Sequence, residues 1–165
     1  MKTNEETQAL YQVDAEEREA TEDRIISQAL DILYTRMERS GDIMNSVNNV
    51  KNFLTLQYAA AERELFAVTF LTNQHELISH QVLFKGTIDS ASVHPREIIK
   101  AALRYNAAAI IINHNHPSGN PEPSQADEII TNKIKDACTL LDIRLLDHFI
   151  VGASSITSFA ERGLL

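Results

Sequence analysis

Residues 107–127 read Ala-Ala-Ala-Ile-Ile-Ile-Asn-His-Asn-His-Pro-Ser-Gly-Asn-Pro-Glu-Pro-Ser-Gln-Ala-Asp, and three kinds of local chemistry follow one another within them. Ala107 to Ile112 is a continuous apolar run, which predicts a central strand buried on both faces. Pro117, Gly119, Pro121 and Pro123 then make a loop. Ser124 opens a helical pattern to about Leu141, with Ile129, Ile130, Ile134, Ala137 and Leu141 on one side. A buried strand leading through a loop into a long helix is a building unit of an α/β domain.

Upstream, residues 64–72 are rich in β-branched and aromatic side chains, Asn73-Gln74-His75 is a turn, and residues 76–84 are the partner strand, ended by Gly86. Residues 92–106 predict a helix with Pro95 in its first turn and Ile98, Ile99, Ala102 and Leu103 facing inward. Ser46 can cap an earlier helix whose apolar face is Val47, Val50, Phe53 and Leu54. Downstream, residues 143–151 and 156–159 are strands. The order β-β-α-β-α-β-β describes one mixed α/β domain, a sheet flanked by helices. Before it, residues 1–23 are too polar to build a core. Residues 22–39 place Ile25, Ile26, Ala29, Leu30, Leu33 and Met37 on one helical stripe that Gly41 stops. The division expected is an acidic helical leader, 1–41, and a body, 42–165. The leader helix is expected to dock on its own body or on a second copy, which would make a homo-oligomer.

At 165 residues, with 44% apolar and 23% charged side chains, the chain can bury one core. No apolar run approaches the ~20 residues that span a bilayer. The first residues, MKTNEETQALYQVDAEE, hold no signal-peptide core, so the expected location is cytoplasmic, away from any membrane. Cys138 is the single cysteine, which excludes an intramolecular disulfide and a cysteine-rich zinc module. The net charge of −8 argues against a protein whose main task is gripping phosphate backbones. Residues 1–40 carry 5 basic and 10 acidic side chains against 10 and 13 in the remainder, so the acidity concentrates in the leader.

The chemistry lies in the quoted block. His114 and His116 stand two residues apart at a strand end, where alternation points both imidazoles to one side. Asp127 falls in the first turn of the following helix, and the loop can fold that turn back over the strand. Two imidazoles and one carboxylate, with a fourth position open, make the ligand composition of a catalytic zinc site. Zinc lowers the pKa of bound water to about 7 and polarises a carbonyl. The competing explanations are plain: histidines at strand ends are often hydrogen-bonded surface groups, and Ser-x-x-Asp is also a capping pattern. His75, His80 and His94 have such bland readings, and Cys138 is core filler. His148 is either a group behind or beside the site or a satisfied structural imidazole.

The block resembles the JAMM (MPN+) metalloprotease motif: a distant Glu, then His-x-His, seven residues, Ser, two residues and Asp. Here that is His114-Asn115-His116, residues 117–123, Ser124 and Asp127, with the spacing intact. The wording His-Asn-His-Pro-Ser-Gly-Asn-Pro-x-Pro-Ser-x-x-Asp is similar to the bacterial RadC-like subfamily. So are Gly86-Thr87, Val93-His94-Pro95-Arg96-Glu97-Ile98 and Leu146-Asp147-His148-Phe149-Ile150. The resemblance spans about residues 42–165. It implies a mixed sheet flanked by helices of JAMM/MPN (cytidine-deaminase-like) type, with an N-terminal helix added. It implies a zinc-dependent metallopeptidase or isopeptidase holding one Zn²⁺ through His114, His116 and Asp127, with a peptide or protein as substrate. Ser124 matches the serine that helps stabilise the oxyanion. The distant glutamate, which holds the zinc water and shuttles its proton, matches Glu64, while Glu62 and Glu76 compete on spacing alone. Full-length RadC proteins carry a longer N-terminal region of helix-hairpin-helix character associated with DNA. Residues 1–41 hold a single glycine, Gly41, and do not match it. The alternative expectation is a DNA-repair-associated accessory protein, with nucleic acid the less favoured partner.

Overall fold

The computed structural model describes residues 17–33, 35, 46–86 and 93–165. The chain divides into two compact units, Met1–Thr35 and Arg36–Leu165. In the first, helix α1 runs through residues 17–33, starting earlier than the stripe predicts. Its first described turn is built from helix-forming Glu, Arg and Ala, with an Arg18–Glu22 pair at i,i+4 and the Thr21 hydroxyl donating to the Glu17 carbonyl. Of the polar stretch expected at residues 1–23, residues 17–23 are helical and residues 1–16 lie outside the described residues, as do Met37, the stop at Gly41, the 41/42 boundary and the helix start at Ser92.

The second unit runs α2 (Val47–Tyr58), β1 (Leu65–Leu71), β2 (Leu77–Lys85), α3 (Pro95–Arg104), β3 (Ala109–Asn115), α4 (Gln125–Thr139), β4 (Arg144–Val151) and β5 (Ile156–Ser158). This is the element order predicted from periodicity. The five strands form one mixed sheet in the order β2-β1-β3-β4-β5. β1 is antiparallel to β2 and β3, β3 is parallel to β4, and β5 returns antiparallel on β4.

One face of the sheet, with Phe66, Val68, Phe70, Ile110 and Ile112, packs against Ile98, Ala101 and Ala102 of α3 and Ile134 and Cys138 of α4. The opposite face carries Thr69, which hydrogen-bonds His80, and His80 in turn meets Tyr58 of α2. Every residue of β3 is buried, polar Asn113, His114 and Asn115 included. The strand therefore extends past Ile112, where its apolar sequence ends, because β1 pairs with it as far as His114 and β4 as far as Asn115, its last residue. Leu103 is 58% exposed, contrary to the inward position expected of it. It lies five residues after Ile98, about 140° around the helix from the buried stripe. Val47, Ile129 and Leu141 are likewise exposed. Ser46 stands at the N-cap position of α2 without a side-chain capping bond.

Candidate metal centre

The register Phe66↔His114 sets the start of β1 beside the end of β3. His114 is the next-to-last residue of β3, and its side chain is 1% exposed. His116 lies just past the strand, its N–H still donating to the Val151 carbonyl at 2.9 Å. Both imidazoles point to one side, with their Nε2 atoms 3.0 Å apart. The chain then turns at Gly119, whose φ of +78° is a conformation glycine adopts without a Cβ penalty. The Gly119 N–H donates to the His116 carbonyl, and its own carbonyl accepts from Ala153. A two-pronged Arg162–Glu122 pair, at 2.6 and 2.7 Å, ties the loop to the C-terminal segment. The loop thus delivers Asp127 over the strand end.

Ser124 is the N-cap of α4, and a capping box joins it to Asp127. The Ser124 N–H and hydroxyl donate to Asp127 Oδ2 at 2.8 and 2.6 Å, and the Asp127 N–H donates back to Ser124 Oγ at 3.2 Å. The hydroxyl hydrogen of Ser124 is therefore directed at the Asp127 carboxylate. Its Oδ1 lies 3.1 Å from His114 Nε2, and its Oδ2 lies 3.5 Å from His116 Nε2.

Burial alone would raise the Asp127 pKa, but the imidazoles of His114 and His116 and the Ser124 hydroxyl beside it hold it well below the usual carboxylate range. The hydrogen bond to Asp127 raises His116 above the ordinary histidine value, against burial and with help from the Asn120 carbonyl and the charges of Asp127 and Glu64. His116 Nδ1 lies 2.7 Å from the Asn120 carbonyl oxygen. A carbonyl only accepts, so Nδ1 carries the hydrogen and Nε2 is left to face the centre.

His114, His116 and Asp127 each offer one ligand atom, all within 4.8 Å of one another, and they are the one such group among the described residues. Two nitrogens and one carboxylate oxygen, arranged with their lone pairs converging, suit a divalent metal ion. His114 forms the floor, while His116 and Asp127, with side chains 19% and 14% exposed, form a rim open to solvent.

Of the three candidate glutamates, Glu64 immediately precedes β1, where its charge acts on His116. Glu76 sits in the hairpin turn on Thr72, at the other end of a seven-residue strand, on the order of 20 Å away. Glu62 is exposed in the segment before Glu64. That segment is clamped by Asn115, the spacer between the two histidines. Its Oδ1 accepts from Leu65 N–H at 2.8 Å, and its Nδ2 donates to the Arg63 and Ala61 carbonyls at 3.0 and 3.3 Å.

Residues 43–164 match the family model of the RadC-like JAB domain. The chain belongs to this family. The JAB domain found here also recurs in curated relatives called UPF0758 proteins. One from Vibrio cholerae is 54% identical over 146 residues, 88% of this chain and 91% of that protein. UPF0758 protein YkfG of Escherichia coli K12 is 49% identical over 142 residues, 86% of this chain and 90% of that one. A third, from Pseudoalteromonas translucida, is 57% identical over 123 residues, and the chain spans 55% of its length.

One contributor to the JAB site, Asn115, is not singled out by the sequence, where it reads as a mere spacer. Of the readings that the sequence allows His148, the structure supports a group behind the site, with Nε2 at 2.9 Å from His114 Nδ1. Burial holds His148 well below the ordinary histidine value. Of the other histidines, His80 bridges Tyr58 and Thr69, His94 stands at the N-cap position of α3 with its ring against Phe84, and His75 sits in the hairpin turn, its N–H donating to the Thr72 carbonyl. Cys138 is fully buried in the core. No helix among the described residues is long and apolar enough to cross a membrane.

Proposed function

We propose that the JAB domain is a zinc-dependent amide hydrolase of the JAMM type, a metallopeptidase or isopeptidase that holds one Zn²⁺ per chain. The observation that carries this reading is the convergence of His114, His116 and Asp127 at a solvent-open rim on which the Glu64 carboxylate acts. His114 and His116 would bind the ion through Nε2 and Asp127 through its carboxylate. When bound, zinc supplies an acidic water and a Lewis acid for the scissile carbonyl. Glu64 accepts the proton of the attacking water on its carboxylate and returns it to the leaving amine nitrogen. Ser124 keeps the Asp127 carboxylate in place, and its hydroxyl hydrogen can swing from Oδ2 to a developing oxyanion at the rim. The substrate is a peptide or protein chain whose backbone or side-chain amide reaches the rim beside His116.

Glu64→Gln is the decisive variant. The amide matches the carboxylate in size but cannot take a proton, so zinc content should stay at the parent value. Cleavage of a fluorogenic peptide and isopeptide library should fall by about 10²–10⁴-fold. Glu62→Gln and Glu76→Gln should keep most of the activity. A zinc-loaded parent that cleaves nothing, or a Glu64→Gln variant as fast as the parent, would overturn the proposal.

A further inference from the structure

Behind His114, a line of hydrogen bonds runs back to the helix that carries Asp127. His114 Nδ1 lies 2.9 Å from His148 Nε2, and His148 Nδ1 lies 2.6 Å from Thr131 Oγ1. Thr131 Oγ1 in turn lies 2.5 Å from the main-chain carbonyl oxygen of Asp127. The hydrogens along this line are assigned from its fixed end. A carbonyl only accepts, so the single hydroxyl hydrogen of Thr131 goes to Asp127. Thr131 Oγ1 then meets His148 as an acceptor, which places a hydrogen on His148 Nδ1.

His148 is 0% exposed, with its ring against Phe66 and Phe159. An imidazolium in that apolar setting is costly, so the ring is neutral and its Nε2 carries a lone pair. That lone pair calls for a hydrogen on His114 Nδ1. With its one hydrogen on Nδ1, His114 is bare at Nε2, the atom 3.0 Å from His116 Nε2 and 3.1 Å from Asp127 Oδ1.

We propose that His148, itself held by Thr131, is a positioning residue that fixes His114 in the Nδ1–H tautomer with its Nε2 lone pair facing His116 and Asp127. The tautomer stands on the hydrogen-bond geometry and on the burial of His148 against Phe66 and Phe159; its use in metal binding rests on the hydrolase proposal above. Thr131 is one helical turn beyond Asp127, so α4 supplies the carboxylate and the far end of the relay together. A shift of α4 along its axis would disturb both at once. Orienting partners behind metal-binding histidines fix the tautomer and ring angle, and losing them commonly costs 10–100-fold in metal affinity.

The test uses the full chain. Imidazole ¹⁵N spectra of the metal-free protein at neutral pH should show the hydrogen on Nδ1 of both His114 and His148. A hydrogen on His114 Nε2 with Nδ1 bare would overturn the proposal. Chelator competition with Zn²⁺ as the probe then reads the consequence. Thr131→Val, which removes the hydroxyl at nearly constant shape, should weaken zinc binding about 10–100-fold, and Thr131→Ser should restore it. Thermal melts of the metal-free variants confirm that each one folds. Should Thr131→Val fail to fold, the ¹⁵N spectra of the parent decide the question alone. A folded Thr131→Val that binds zinc as tightly as the parent overturns the proposal. A parent that takes up no zinc defeats the hydrolase proposal, and the tautomer is still decided by its spectra.

Discussion

Asn115 shows how much one side chain can do between two candidate ligands. It is 2% exposed, and its amide makes three hydrogen bonds to the main chain at residues 61, 63 and 65, bracketing Glu64. Asn115→Ala removes all three hydrogen bonds to this partly buried segment, at about 1–3 kcal/mol together, and should lower Tm by several degrees. Asn115→Asp keeps the size but replaces two N–H donors with an oxygen that faces the carbonyls of Ala61 and Arg63. It should therefore melt below Asn115→Ala. Neither variant removes a candidate ligand, so zinc content should hold while hydrolysis falls with the loosening of Glu64. The check is a calorimetric melt of each variant beside its metal analysis. Equal melts for parent and Asn115→Asp would show that the clamp is not made.

At the level of elements, the junction that matters most is the end of β4 under the loop from His116 to Asp127. A Cβ on Gly152 would stand 2.5 Å from the Gly119 carbonyl oxygen and 2.9 Å from Pro121 Cδ. A main-chain oxygen and a proline ring cannot swing aside as a flexible side chain would. Gly152→Ala must push the loop outward, taking with it the Asn120 carbonyl that orients His116. The variant should lose about 1–3 kcal/mol of stability and bind zinc more weakly than the parent, read by denaturant unfolding and chelator competition. Most of the elements were legible in the sequence because their periods are clean: the apolar run at 107–112, the hairpin around Asn73-Gln74-His75, and the stripe through Ile130 and Ile134. The convergence of His114, His116 and Asp127 was legible too, since local spacing and one loop bring them together. His148 was not. Alternation along a regular strand would put it on the opposite face from Leu145. A register irregularity between Ile110 and Ile111 advances β4 from Leu145 to Asp147 in one step and pairs His148 with Ile112. The bulge turns the imidazole toward His114. Irregular pairing leaves no mark in an apolar pattern, which is why the relay emerges only from the fold. Leu103 misled for a different reason: its hydrophobicity fits the stripe of α3, and its angle does not.

Across the whole molecule, the buried histidines make stability depend on pH. His80 sits between the sheet and α2, bonded to Thr69 Oγ1 at 2.8 Å and the Tyr58 hydroxyl at 2.6 Å, with its ring edge-on to Phe53. Burial lowers its pKa from 6.5 to about 4. The unfolded chain therefore takes up a proton at this histidine near pH 6.5, while the folded protein resists until about pH 4. Its contribution is fully present above pH 6.5 and drains away as pH falls toward 4, by at most about 3 kcal/mol. His148, also lowered by burial, acts with the same sign. Two groups act oppositely: His116, raised chiefly by its bond to Asp127, and Asp147, raised by burial despite bonds from Ser158, Ala160 and His148. The net melting curve mixes these contributions, so the measurement to make is a difference. His80→Gln retains hydrogen-bonding groups but does not titrate. The stability of the parent minus that of His80→Gln, from denaturant unfolding at steps between pH 7.5 and 4, should shrink steadily below pH 6.5. The acid flank of the parent should be correspondingly steeper than that of the variant. A difference that stays flat across this window would mean that His80 binds its proton equally in the folded and unfolded chain, and that the contact between α2 and the sheet is open to water.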